Sequence, residues 1–393
     1  MSAHPILIVS RSLPMHQPGG MEIVAWDLAR TLAATVGPVT VLTTRLAQAP
    51  AEFSHAGVSI SALPGTEAGR YSASWWRASR RAFRRRYAGR VAAVISVSAG
   101  AFALLPLRSE SAPVPFLMQA HGTALRDAVS AWHRPDPRAW AGSLRSLSAI
   151  PRDLRAYPRF DRVVAVGPAI AEALQRPPAS WVLPPEKVVT IPNGVDPARF
   201  APDPAARQRG RARHGFSPDN VVVVSSSRLH RQKGVLEGLA GFARFAAAEP
   251  AARLLVVGGG PARKRMQRAV SDLRLTARVH FAGALPHEEM PTALCAADLF
   301  LFTTRHPEGA PLAILEALAC GLPAVVSDHL REPLRWGPAV RGADPRDPQA
   351  ICAALQHQRP LAGQTRSWLP PGHSLTETAR GYATLLAAVR AGG

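Results

Sequence analysis

The sequence predicts an α/β protein made of two doubly wound domains, each a parallel sheet covered by helices. Short apolar runs such as Ile6-Leu-Ile-Val9, Val221-Val-Val-Val224 and Leu254-Leu-Val-Val257 have the unbroken hydrophobicity of strands covered on both faces. They alternate with helical patterns across glycine turns, Gly19-Gly20 in the first half and Gly258-Gly-Gly260 in the second. With 393 residues, 47% of them hydrophobic, the chain is long enough for two cores.

The first domain is expected over residues 1–187. Ile6 to Ser10 is a strand, and after a loop with Pro14, Pro18, Gly19 and Gly20 a helical pattern runs through Ile23, Ala25, Trp26, Leu28, Ala29 and Leu32 to Gly37-Pro38. Val39 to Thr43 completes a βαβ unit whose helix N-terminus points above the sheet. Read alone, Gly19-Gly20 is a tight turn sooner than a binding loop. Trp76, Phe83 and Tyr87 share one helical face, while Arg77, Arg80, Arg81, Arg84, Arg85 and Arg86 crowd the rest. That pattern suits a helix packed on the sheet with a solvated basic face. It also suits a patch at residues 75–87 that touches an anionic membrane surface or a phosphorylated acceptor. Val91 to Val97 and Val114 to Ala120 are further strands, the second ending at His121-Gly122-Thr123, where an open α/β sheet binds ligands. Phe160 to Leu174 reads as strand then helix, and acceptor specificity is expected within 124–158.

The second domain is expected over 188–372. Val188 to Asp196 is the crossing, with Asn193-Gly194 as a turn, and a Pro- and Arg-rich linker follows to Pro218. The strand from Val221 ends in Arg228-Leu-His-Arg-Gln-Lys233-Gly234. Cations at a strand end suit a leaving nucleoside diphosphate, since Arg presents a planar fork and Lys a movable point charge. Lys233 is one of only three lysines among the 47 basic residues, so the arginine-rich composition does not account for it. The glycines at 258–260 let backbone approach a nucleotide. Val279 to Pro286 and Asp298 to Thr304 are the next strand segments. From Gly309 to Val326 only Glu316 and the glycines interrupt an apolar run, with Pro311 suited to the first helical position and Gly321 to the stop. A carboxylate there costs several kcal/mol without a partner, which could be an internal Arg, backbone or a ligand. Glu308 sits at the helix mouth, and Glu316 lies five residues past Pro311, roughly 7.5 Å further along the axis. Residues 373–393 are expected to be a separate C-terminal helix.

Glu308-Gly-Ala-Pro-Leu-Ala-Ile-Leu-Glu316 resembles the E-x7-E signature of retaining glycosyltransferases of family GT4, and the following Ala-Leu-Ala-Cys-Gly-Leu-Pro continues the likeness. Arg228 to Gly234 has the form of that family's Arg-x4-Lys-Gly motif, and Ile191-Pro-Asn-Gly-Val-Asp196 its interdomain segment. The resemblance implies the GT-B fold, two facing Rossmann-like domains with an interdomain cleft. It places Gly19 and Gly20 beside the acceptor and the donor diphosphate. It implies that His121 contacts the donor sugar or helps organise the reacting centre, and that Arg228 and Lys233 hold the diphosphate. Glu308 would then contact sugar hydroxyls and Glu316 the ribose diol, with Gly259, Gly309, Ala310, Pro311 and Leu312 lining the nucleotide site. It further implies transfer of a sugar, with retention of configuration, from a nucleoside diphosphate to an acceptor hydroxyl, UDP being the favoured carrier. The last helix would return to the first domain. Beyond Asp328 the family's Gly-Gly before a Glu is replaced by His329-Leu-Arg-Glu332, which removes that loop from the expected binding residues.

The formal charge of +20 comes with an arginine-rich composition and attracts polyanions in general. No zinc-finger spacing or aromatic RNP-like sheet supports nucleic-acid binding. No Asp-x-Asp pair occurs, so no metal is expected at the diphosphate. Cys295, Cys320 and Cys352 have no metal spacing, and no signal peptide or apolar run of membrane-spanning length is seen, so a cytoplasmic location is expected. Alternative readings are an epimerase or sugar phosphorylase on the same plan, or a non-catalytic polyanion binder.

Overall fold

The structure, a computed structural model, describes residues 4–17, 19–69, 71–110, 114–125, 137–306, 308–309, 311–330, 333–363 and 365–391, with backbone alone at 110 and 137–146. The chain divides into two compact units, Met1–Gly194 with Leu375–Gly393, and Val195–Ser374.

In the first unit the strands are β1 (Ile6–Val9), β2 (Val39–Thr44), β3 (Glu52–His55), β4 (Val58–Leu63), β5 (Ala93–Val97), β6 (Phe116–Ala120), β7 (Arg162–Ala165) and β8 (Val188–Thr190). They form one sheet in the order β3-β4-β2-β1-β5-β6-β7-β8, parallel except for the β3–β4 hairpin. Helices α1 (Gly20–Thr35), α2 (Ala73–Ala82), α3 (Pro137–Ala156) and α4 (Pro168–Leu174) lie between strands. Ile6, Ile8, Val41, Ile95 and Val164 pack with Trp26, Leu28 and Leu32 of α1, closing the core over one face.

Two expected boundaries move. Val188 pairs with Val163 as the eighth strand of the first sheet, so the crossing lies beyond Gly194 rather than at 187/188. At the return, Val195 pairs with Ser374 and its N–H bonds the His373 carbonyl at 2.9 Å, which keeps 373 and 374 in the second unit. Helix α11 (Leu375–Ala391) then lies in the first unit, where Ala379, Tyr382 and Leu386 join the cluster that holds α1.

The basic segment also differs from expectation. Trp75 is the fully buried tryptophan, with its indole N–H donating to Gly100 O at 3.2 Å, and Trp76 is half-buried. The buried face is Trp75, Ser79, Ala82 and Phe83, in which two small residues replace the apolar ones that periodicity looks for; Ser79 is satisfied by its hydroxyl bond to Trp75 O at 2.8 Å. After α2 the chain makes one π-turn, Phe83–Tyr87. Arg77, Arg80, Arg81, Arg84, Arg85 and Arg86 are exposed, and Arg86 pairs with Glu52.

The second unit contains β9 (Val221–Ser226), β10 (Ala252–Val257), β11 (Val279–Gly283), β12 (Leu299–Phe302), β13 (Ala324–Ser327) and β14 (Val340–Ala343), all parallel, in the order β11-β10-β9-β12-β13-β14. Its helices are α5 (Pro204–His214), α6 (Val235–Ala248), α7 (Arg263–Asp272), α8 (Met290–Cys295), α9 (Leu312–Ala319) and α10 (Pro348–Gln358). Phe242, Phe245, Leu254, Val256, Leu299 and Ile351 centre its core. At the foot of the sheet Asp298 accepts from Arg207 at 2.6 Å, Arg211 at 2.8 Å and the Val222 N–H at 2.7 Å, which ties α5 to β9 and β12. Pro311 is the cap of α9, one position earlier than expected, with the extended ψ of 107° that a cap adopts. Gly321, at φ +83°, ends the helix as expected. The three cysteines are free and buried. No helix among the described residues is long and apolar enough to cross a membrane.

Candidate active site

Each sheet reverses its strand order at one point, β1 between β2 and β5 in the first unit and β9 between β10 and β12 in the second. The crevice outside the carboxyl ends of those strands is where such sheets bind ligands.

In the second unit, β9 runs out through Ser227 and Arg228 into a 3-10 turn, Arg231–Lys233, and α6 starts after Gly234. Gly234 has φ +57°, and a Cβ there would sit 2.9 Å from Thr303 O, so a side chain would push the turn off β12. This close approach sets Lys233 beside the end of β12. Its Nζ donates to Glu308 Oε1 at 2.6 Å, with the two side chains 19% and 15% exposed. The Thr304 hydroxyl lies 3.2 Å from the same oxygen, and the ammonium is 5.5 Å from the Phe302 ring centre. Two side chains 75 residues apart, assigned separate tasks from the sequence, therefore form one ion pair. Arg228 is exposed and, among the described residues, has no ion-pair partner.

The three glycines after β10 have different reasons. A Cβ at Gly258 (φ +133°) would lie 1.9 Å from Ser227 O, and at Gly260 (φ +150°) 2.4 Å from Leu229 O. Both admit the 227–229 backbone itself. Gly259, the one selected from the sequence, would meet only Ala284 Cβ at 3.8 Å, and its carbonyl accepts from Leu229 N–H at 2.8 Å.

Glu316 is buried, at 6% exposure on α9. Its partner is neither a guanidinium nor backbone. His287 Nε2 lies 2.7 Å from Glu316 Oε1, its side chain 14% exposed and its ring 5.5 Å from that of Phe200. A carboxylate only accepts, so the imidazole donates. His287 opens the short turn His287–Glu289 after Pro286, and sequence reasoning passed over it. The burial of Glu316 is therefore answered within its own unit. Glu308, Gly309, Pro311 and Leu312 lead into the same helix; Ala310 lies outside the described residues, as do Arg331 and Glu332.

In the first unit, Gly19 caps α1 and Glu22 folds back over it. A Cβ at Gly19 would lie 2.3 Å from Glu22 Oε2, while Ser12 Oγ donates to Glu22 Oε1 at 2.8 Å. An added Cβ at Gly19 would displace only the carboxylate end of the Glu22 side chain, and Gly20 faces open space. His121 follows β6, with Nε2 3.0 Å from Gln119 Oε1, which puts the ring proton on Nε2. Burial lowers its pKa from 6.5 to about 4, so the ring is neutral at pH 7. Gly19, Gly20 and His121 thus belong to the first unit, and Arg228, Lys233, Glu308 and Glu316 to the second. Among the described residues no group of three His, Cys, Asp or Glu could hold a metal ion.

A family model described as glycosyl transferases group 1 matches residues 206–339, and one described as glycosyltransferase family 4 matches 18–199. A GDP-mannose-dependent alpha-(1-6)-phosphatidylinositol monomannoside mannosyltransferase of Mycolicibacterium smegmatis is 38% identical over 173 residues, 42% of this chain and 45% of that protein. Mannosylfructose-phosphate synthase of Agrobacterium fabrum is 33% identical over 213 residues, 51% of this chain and 46% of that protein. The chain thus spans a little under half the length of these curated relatives. Among solved structures, a sucrose-phosphate synthase from Thermosynechococcus elongatus aligns with a TM-score of 0.77 at 20% identity, covering 99% of this chain and 100% of that one. Anabaena HepE in complex with UDP and glucose gives 0.72 at 20% identity, covering 98% and 100%. The chain belongs to the group 1, family 4 glycosyltransferases, and its two Rossmann-like units are those of the GT-B fold.

Replacing His287 by Ala leaves the Glu316 carboxylate without its donor. Urea titration is expected to show a loss of about 1–3 kcal/mol, with His287→Gln recovering most of it; an Ala variant as stable as wild type would refute the pairing. For His121, the unfolded chain takes up a proton below about pH 6.5 and the folded one only near 4. Between those values the unfolded state binds more protons, so stability falls as pH drops, by about 3 kcal/mol at most. An NMR titration of this ring with a midpoint near 6.5 would contradict its burial.

Proposed function

We propose that the protein transfers a sugar from a nucleoside diphosphate to an acceptor hydroxyl, with retention of anomeric configuration. The observation that carries this reading is the Lys233–Glu308 pair at the order reversal of the second sheet, on the same strand exit as Arg228, which among the described residues has no ion-pair partner. Arg228 and Lys233 would bind the diphosphate and stabilise the charge that grows on its β-phosphate as the glycosidic bond breaks. Glu308, sharing Lys233, would accept hydroxyls of the donor sugar, and Glu316, oriented by His287, would accept the ribose diol. The leaving phosphate oxygen would take the acceptor's proton on the same face. Glu308 is not assigned as a covalent nucleophile, a role that needs approach from the opposite face. In this reading the two cations, rather than a metal ion, would carry the diphosphate charge.

His121, neutral and with Nδ1 as an acceptor, would bind a sugar hydroxyl, and the first unit would hold the acceptor. The family resemblance favours UDP, whereas the Mycolicibacterium relative is named for GDP-mannose and HepE is solved with UDP. The base is therefore a direct outcome of the first test. The exposed arginines of 77–85 would rest on an anionic membrane bearing the acceptor, a contact supported by their charge alone.

Thermal-shift titration with GDP, UDP, ADP, TDP and pyrophosphate is expected to single out one nucleoside diphosphate. Lys233→Ala should weaken nucleotide and pyrophosphate alike and lower turnover roughly 100-fold or more. Glu316→Ala should weaken the nucleotide and spare pyrophosphate, which has no ribose. Wild-type behaviour of Lys233→Ala would end the phosphate assignment. Sedimentation with phosphatidylglycerol vesicles at low salt should carry the wild type down and leave an Arg80→Ala/Arg81→Ala/Arg84→Ala variant in solution; a wild type that stays in solution rules the membrane contact out.

A further inference from the structure

Strand β6 carries one polar side chain among apolar ones. Its sequence is Phe116-Leu-Met-Gln-Ala120, every position is buried, and Gln119 is only 1% exposed. Leu117 and Gln119 lie two apart, so they share the face of the sheet on which Leu117 joins the core cluster of α1 and α11. Val164, the β7 residue in register with Gln119, belongs to that cluster, as does Tyr382 of α11. A glutamine is thus set on the face that the last helix covers. An amide buried in such company costs free energy unless both of its ends find partners.

The two ends act on different groups. Gln119 Oε1 lies 3.0 Å from His121 Nε2. The other end acts on Tyr382, which is 1% exposed and whose hydroxyl is shut off from solvent with no hydrogen bond of ordinary geometry. Burial raises the pKa of that phenol, and the Gln119 side chain opposes the rise. Only a donor favours a phenolate, so the amide nitrogen faces the tyrosine oxygen and the amide oxygen is left to the imidazole. Reversed, the amide would offer His121 an N–H and drive the ring proton to Nδ1, which could then no longer accept.

We propose that Gln119 and Tyr382 are positioning residues for His121: the phenol oxygen orients the Gln119 amide, and the amide oxygen keeps the imidazole proton on Nε2, leaving Nδ1 to accept from a sugar hydroxyl. This rests on the reading that His121 binds such a hydroxyl. It gives α11, from the far end of the chain, a part in the reaction as well as in the core of the first unit.

The test is a long-range proton–nitrogen NMR correlation of the imidazole rings in the full chain at neutral pH, with His121 assigned by its loss in His121→Asn. Wild type is expected to show one tautomer, protonated at Nε2. Gln119→Met, which keeps the volume and removes the amide, should move part of the proton to Nδ1, and Tyr382→Phe should do so to a smaller extent. Release of nucleoside diphosphate from GDP-mannose or UDP-glucose should fall about tenfold in Gln119→Met, while binding of free GDP or UDP, which carry no sugar, stays at the wild-type level. A wild type protonated at Nδ1, or a Gln119→Met variant that keeps the wild-type tautomer, overturns the proposal. A Tyr382→Phe variant with an unchanged ring proton overturns the part given to the phenol. Circular dichroism checks folding, and Gln119→Leu replaces the Met variant if that one unfolds. Absence of nucleotide binding by the wild type would sink the glycosyltransferase reading, and the tautomer result would stand apart from it.

Discussion

A strand covered on both faces by helices can present polar chemistry only where it ends. Strand β1 is apolar and buried throughout, and β9 is so over Val221–Val224, so the charged groups of the candidate site stand at a carboxyl end or on the element that follows. Order reversal at β1 and at β9 opens a crevice beside those ends. Arg228, Lys233 and Glu308 stand at the second. The burial that stabilises the sheets also dictates that charges near them be matched locally. Glu316 meets His287, Glu308 meets Lys233, Glu22 meets the Ser12 hydroxyl, and Asp298 meets two guanidiniums and an amide.

The sheets were legible because covered strands need no alternation and their runs of Val, Leu and Ile stand out. The β3–β4 hairpin was not, since Glu52-Phe-Ser-His55 is a largely exposed edge strand with little apolar signal. Lys233, Glu308 and Glu316 could be chosen individually, yet their partners could not. The ion pair joins residues far apart in sequence, and His287 sits in Pro-His-Glu-Glu, which reads as a surface turn.

Much of the chain's arginine is structural. Arg108 grips Asp161 at 2.7 and 2.9 Å, and Asp161 in turn takes the Phe116 N–H at 2.7 Å, fixing the start of β6. Arg211 reaches the carbonyls of Ser217, Pro218 and Asn220 as well as Asp298. Lysine has three donors on a point charge and could not replace such spread contacts. The large positive charge therefore reflects, in part, a framework laced by guanidiniums.

Helix α11 completes the first unit from the far end of the chain, placing Tyr382 and Leu386 against residues that precede Leu63. During synthesis the amino-terminal sheet must therefore wait, its apolar stripe uncovered, while the whole second unit emerges, a delay of roughly 10–40 s at ordinary elongation rates. The second unit, contiguous in sequence, can fold first. The half of the protein that is made earliest is thus the last to be finished, and its handling on the ribosome depends on a segment not yet translated.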